Sequence, residues 1–278
     1  MPRRIERVLQ RLLPGAAARL PLPDFLGIGA QKAGTTWLAA NLRRHPDVFI
    51  PERKELHFFD NKWDRPLREY ARHFEGSAGR VRGEITPAYG ILPPERIRYL
   101  RRVMPRVRLL LLLRNPMERA WSHALMDLAS RRGRDPEQVS FDEAIAFLES
   151  DLAVRRSDYG AMLDAWLAVF PREQLYVGFF EWIRERPREL LSEVFRHIGV
   201  SADVDWEGFP LEKVIVPGVA PGRKGHTTEC LERAEGSDES GRHPCPEPVR
   251  RWLEQRYADD LDRLAQRLGG PAESWRVS

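Results

Sequence analysis

Residues 24–30, "DFLGIGA", form a short apolar run that stops in glycines, and residues 35–45, "TTWLAANLRRH", open a helix-like pattern directly behind it. Between them lies a turn with Gly29 and Gly34 five residues apart. A buried strand, a glycine turn and a helix start in immediate succession begin a βαβ unit. They aim the amide N–H groups of the turn and the positive end of the helix dipole at one point, where a phosphate group can sit.

The glycine spacing is that of the nucleoside-triphosphate loop Gly-x-x-x-x-Gly-Lys-Ser/Thr, in which the lysine reaches the outer phosphates and the hydroxyl binds magnesium. Here Thr35 and Thr36 occupy those two places, and a lysine, Lys32, lies inside the loop. The leucine-rich run at 107–114 ends in Arg114, where a metal-binding aspartate would be required. The loop therefore keeps the phosphate cradle and lacks the triphosphate and metal machinery, which disfavours a metal-dependent kinase. No metal is expected.

The rest of the chain alternates strand and helix signals. "VRGEITPAYG" (81–90) reads as a strand entering a Thr-Pro turn, and "PPERIRYLRRVMP" (93–105) as a helix opened and closed by prolines. "VRLLLLLR" (107–114) has the two-sided apolarity of a central parallel strand. A helix follows from 115, with Asn115 at the cap and Pro116 in the first position. Helices are expected at 141–152, 158–170, 187–200 and 247–268, and a strand at 174–180; either Thr35 or Thr36 could cap the helix after the glycine loop. The pattern specifies an α/β fold, a single P-loop-like domain with a central parallel sheet flanked by helices, over residues 24–278. Residues 1–23 form a basic N-terminal segment with Ile5, Val8, Leu9, Leu12 and Leu13 at helical spacing. Packing on the domain is its first reading, and contact with an anionic membrane surface the second.

Of the 278 residues 31% are charged, with a formal net charge of +4. That surplus suits an anionic ligand and is too thinly spread to argue for nucleic acid. No apolar run reaches the ~18 residues that span a bilayer, and the N-terminus lacks a secretory core, so the expected location is cytoplasmic. Cys230 and Cys245 show no metal-ligand spacing. A second anion grip is suggested by Arg114 at the end of its strand and Ser122 eight residues on, which could hold another phosphate at the carboxyl edge of the sheet.

Four ordered motifs, "QKAGTTWL" (31–38), "KELHFFD" (54–60), "EITPAYG" (84–90) and "LLLLRNPMERAWSHALM" (110–126), resemble the sulfotransferases that use 3′-phosphoadenosine 5′-phosphosulfate (PAPS). The likeness is greatest to the branch acting on glycans such as heparan sulfate, and it extends through 159–187 to "SGRHP" (240–244). The resemblance implies PAPS as donor and 3′-phosphoadenosine 5′-phosphate (PAP) as product. Lys32, Ala33, Gly34, Thr35, Thr36 and Trp37 would line the 5′-phosphosulfate site, and Arg114 with Ser122 the 3′-phosphate site. Ser240, Gly241 and Arg242 match a late loop that folds over the donor, and Glu55 matches the base of the glycan branch.

The acceptor would then present a hydroxyl or amine, on a saccharide or a hydroxylated metabolite. Its hydroxyl needs a base at neutral pH, and His57 is the rival to Glu55 for that role. Lys32 would stabilise the departing phosphate. The glycan enzymes carry a lysine where this chain has Ile85, which leaves the acceptor open. That branch also often carries a disulfide hairpin near Cys230 and Cys245. A non-catalytic nucleotide- or polyanion-binding protein on the same fold is the alternative.

Overall fold

A computed structural model describes residues 20–212 and 243–277. Residues 1–19 of the basic N-terminal segment, Ser240, Gly241, Arg242, Cys230 and most of the late loop lie outside the described residues. Five parallel strands form one sheet in the order β2-β3-β1-β4-β5. They are β1 (Phe25–Gly29), β2 (Val48–Phe49), β3 (Val81–Ile85), β4 (Arg108–Leu113) and β5 (Leu175–Phe179). The middle strand is therefore β1, the strand that feeds the glycine loop. The leucine strand β4, read from its apolarity as central, lies one place to its side, with five of its six residues buried.

Helices pack on the sheet, and their starts follow local chemistry. After the loop comes α1 (Thr35–Leu42), then the short α2 (Phe58–Asn61) and α3 (Leu67–Ala71). The proline-opened α4 is Pro94–Val103 and α5 is Pro116–Leu128. The Asn115 side chain accepts from the amides of Met117 and Glu118, so α5 starts where the Asn-Pro pair directs. The helical stretch expected over 141–152 is two helices, α6 (Phe141–Leu148) and α7 (Asp151–Ser157), because Ser150 caps a new start through Ala153 N–H. Then come α8 (Tyr159–Leu167), α9 (Trp182–Glu185), α10 (Pro187–Ile198) and α11 (Glu247–Leu268). Helix α10 ends where Gly199 turns left-handed at φ 87°. Neither threonine caps α1: its N-cap is Gly34, at φ 81°, with no side-chain hydrogen bond.

Strands β1 and β3 approach so closely that only hydrogen fits at Gly83, where an added Cβ would fall 2.0 Å from the Phe25 ring. Gly83→Ala should therefore lower stability by about 3 kcal/mol, the upper end for overpacking, because the sheet must spread or Phe25 must leave the core. Urea unfolding checks this, and an unchanged midpoint would refute it.

Candidate active site

The site lies at the carboxyl edge of the sheet, where β1, β3, β4 and β5 release the chain. From β1 comes the loop 30–34, tied to the neighbouring strand by Ala30 N–H donating to Leu112 O at 2.7 Å. With no side-chain cap on α1, the first-turn amides, including those of Thr35 and Thr36, have no partner within the helix and face outward along its axis. Gly34 cannot be replaced cheaply. Besides its positive φ, a Cβ there would lie 2.3 Å from Ile183 Cδ1, so the loop is pressed against the chain leaving β5. Trp37 is buried, and its indole N–H donates to Leu211 O at 2.9 Å. Its ring is a strut of the core.

Arg114 follows β4 directly. Its guanidinium donates to Glu118 Oε2 from Nε (3.1 Å) and Nη2 (2.9 Å), and from Nη1 to Lys32 O (3.3 Å). It stacks on the Phe180 ring at 4.7 Å. Ser122 is half-buried two turns along α5, between the buried Trp121 and His123. The Trp121 indole donates to His243 O at 3.1 Å, which fixes the start of the described C-terminal segment against α5.

Lys32 is where the electrostatics concentrate. Burial, and then the charges of Arg114, Arg131, Lys54 and Arg119, lower its pKa to about 8. A lysine in such company is poised for an anion.

The second wall is the segment after β2. Glu55 Oε1 accepts from Lys54 Nζ at 2.6 Å, and Glu55 Oε2 faces His57 Nε2 at 3.3 Å. On its other side His57 Nδ1 donates to Asp60 Oδ2 at 2.7 Å. Burial alone would raise the Glu55 pKa, but the His57 hydrogen bond and Lys54 outweigh it and hold it at about 2. His57 is raised to about 9, first by the Asp60 hydrogen bond and then by that of Glu55. The imidazole is thus a cation at neutral pH, clamped between two carboxylates.

This wall is pinned from beneath by a buried carboxylate. Glu84, on β3, accepts from Tyr70 Oη (2.7 Å) and Tyr89 Oη (2.9 Å) on Oε1, and from Thr86 Oγ1 (2.7 Å) and Leu56 N–H (3.3 Å) on Oε2. Tyr89 Oη in turn accepts from Phe58 N–H at 2.9 Å. Phe58, Phe59 and Tyr89 are therefore core residues that aim the backbone of 55–59. Sequence reasoning missed Asp60 and Glu84 as members of the site, although both lie inside motifs it quoted. The three non-glycine residues with positive φ among the described residues are Lys32, Glu55 and His57.

The fold and this edge define a P-loop-like α/β domain with a glycine loop and a carboxylate–imidazolium pair at the carboxyl edge of its sheet. A model of the sulfotransferase domain family matches residues 22–214, and the chain belongs to that family. It is 29% identical over 274 residues to human heparan sulfate glucosamine 3-O-sulfotransferase 6, covering 92% of this chain and 75% of that protein. It is 33% identical over 139 residues to the membrane-associated sulfotransferase kil1 of Dictyostelium discoideum, covering 48% of this chain and 29% of that one. The crystal structure of a sulfotransferase from Alicyclobacillus acidocaldarius superposes with a TM-score of 0.65 at 26% identity, over 92% of this chain and 99% of that one. Mouse sulfotransferase SULT7A1 complexed with PAP shares the fold, with a TM-score of 0.54 at 16% identity over 94% of this chain and 92% of that one. Among the described residues no helix is long and apolar enough to cross a membrane.

The clamp predicts the titration of His57. By NMR its ring should titrate near pH 9 instead of the usual 6.5, and Asp60→Asn should lower that value. A raised folded-state pKa also fixes the sign for stability: the His57 contribution is complete below pH 6.5 and fades as pH rises through 9. A titration at 6.5 would refute the clamp.

Proposed function

We propose that the chain is an enzyme that moves a sulfuryl group from PAPS to a hydroxyl or amine of a glycan or related acceptor. The observation that carries this reading is the convergence, at one sheet edge, of the glycine loop with Lys32, the oriented fork of Arg114, and Glu55. The loop from Lys32 to Thr36 would hold the 5′-phosphosulfate. On the Arg114 fork a 3′-phosphate would replace the exposed carboxylate of Glu118, exchanging one anion for another at a guanidinium already in place. Ser122 would contribute its hydroxyl to the same phosphate.

In the transfer, the acceptor oxygen forms a bond to sulfur as the sulfur–oxygen bond to the phosphate breaks. Glu55 takes the acceptor proton, and the electron pair stays on the PAP phosphate, beside Lys32 and the loop amides. His57 competes poorly for the role of base, because its imidazolium has no free lone pair. It and Lys54 instead hold Glu55 in place, and the acceptor hydroxyl must displace one of these contacts before the carboxylate becomes an effective base. No step calls for a metal. The names of the heparan sulfate relatives support a saccharide acceptor. A non-catalytic polyanion-binding protein is the competing reading, and the oriented Glu55–His57–Asp60 line favours the enzyme.

The donor reading is tested by calorimetry. PAP should bind more tightly than adenosine 5′-phosphate, and Arg114→Ala should cost about 1.5–3 kcal/mol of that preference. Equal affinities for the two nucleotides would sink the assignment. PAP affinity should also weaken as pH rises above 8, since Lys32 then loses the proton that attracts the phosphate.

The base is tested by turnover with labelled PAPS and a panel of saccharide acceptors. Glu55→Gln should reduce transfer by ~10²–10⁴-fold while leaving PAP affinity nearly unchanged. Retained transfer in Glu55→Gln, with loss in His57→Ala, would reverse the two roles.

A further inference from the structure

Arginines around the cleft are mostly neutralised by carboxylates. Arg114 pairs with Glu118 at 2.9 Å, Arg131 with Asp127 at 2.6 Å, and Arg155 with Asp151 at 3.6 Å. Arg156, at the end of α7, breaks the pattern. Its Nη1 donates to Gln31 Oε1, in the loop itself, and lies 3.0 Å from His123 Nε2. Burial, then Arg119 and Arg156, depress the His123 pKa to about 2, so this partner is neutral at any working pH and accepts through Nε2. Among the described residues Arg156 is therefore held by two neutral acceptors, and its Nε is buried without a partner.

A strut would gain more from a carboxylate than from an amide and a neutral ring. The arrangement orients the guanidinium and leaves it with no paired carboxylate among the described residues. Arg119 also has no carboxylate partner among the described residues, but it is closed off from solvent and cannot meet a ligand. Arg156 is half-buried and placed beside the loop. Glu55 is the first of the carboxylates that act on its charge, so the two groups lie within electrostatic reach of each other. The donor phosphates are already provided for by the loop, Lys32 and Arg114.

We propose that Arg156, oriented by Gln31 and His123, is a specificity-determining residue that binds a carboxylate or sulfate carried by the acceptor, next to the group presented to Glu55. The proposal rests on the sulfotransferase reading above and adds a requirement to it: the acceptor is anionic close to the site of transfer, and a neutral analogue is bound less well.

The test is calorimetry on the whole protein saturated with PAP, with a heparin-derived tetrasaccharide as probe. The control is the same tetrasaccharide after removal of its sulfates and reduction of its carboxylates. Arg156→Gln keeps an N–H for Gln31 or His123 and removes the charge. It should weaken the charged probe ~10-fold or more and reduce the salt dependence of binding by about one charge. PAP affinity, which also reports that the variant is folded, should stay within about twofold of the natural protein. The neutral control should not distinguish the two proteins. PAP binding with an unchanged affinity for the charged probe overturns the role of Arg156 alone. So does an equal loss for PAP and probe, which would make Arg156 a support of the loop, or a natural protein that ignores the charged probe. Failure of the natural protein to bind PAP would overturn the donor reading and this proposal with it.

Discussion

The buried carboxylate of Glu84 is the constraint on which the candidate base depends. Burial raises its pKa, and hydrogen bonds from Tyr70, Thr86, Tyr89 and the Leu56 amide oppose that rise. Burial and the neighbouring Glu84 push the phenols of Tyr70 and Tyr89 far upward, so both remain donors. The result is a closed polar network inside an aromatic shell in which Tyr70 stacks on Phe58 at 4.8 Å. Its outer surface is the backbone of 55–59. A strand of the central sheet thus transmits its rigidity, through one carboxylate and two phenols, to a segment that has no strand or long helix of its own.

Rigidity of that kind explains how the site tolerates its backbone. Lys32, Glu55 and His57 occupy left-handed conformations at φ 67°, 63° and 53°, which residues with a Cβ adopt at some cost. Each of the three carries charge into the cleft. Left-handed backbone at 55 and 57 lets Glu55 and His57 face each other at 3.3 Å, while Leu56 between them points into the core.

How much of this was legible in the sequence depended on distance along the chain. The glycine loop, the Asn115-Pro116 helix start, the Gly199 stop and the long C-terminal helix are written in neighbouring residues, and the structure has them all. The cap of α1 was misjudged because Gly34, left-handed, ends the turn before either threonine hydroxyl can serve. The two-residue strand β2 and the short α2 carry too few residues for a periodic signal. Glu84 lies inside a legible strand motif, but its partner Leu56 is 28 residues away and nothing local announces the pairing. Arg156, Gln31 and His123 meet only because α7 folds back over α5 and the loop. Composition showed a surplus of arginine, but not which arginines lack a counter-charge.

That imbalance has a consequence for the life of the protein as well as for its chemistry. Lys32, Lys54 and the arginines around them repel one another, and the fold carries that repulsion as lost stability. An anion bound in the cleft, as proposed above, would be held by the folded chain and not by the unfolded one, so ligand at a hundred times its Kd would add about 2.7 kcal/mol. The fraction of molecules open to proteases falls by the same factor of roughly a hundred. The concentration of its ligand would thereby set how long each copy survives, and the protein would persist where it has something to bind.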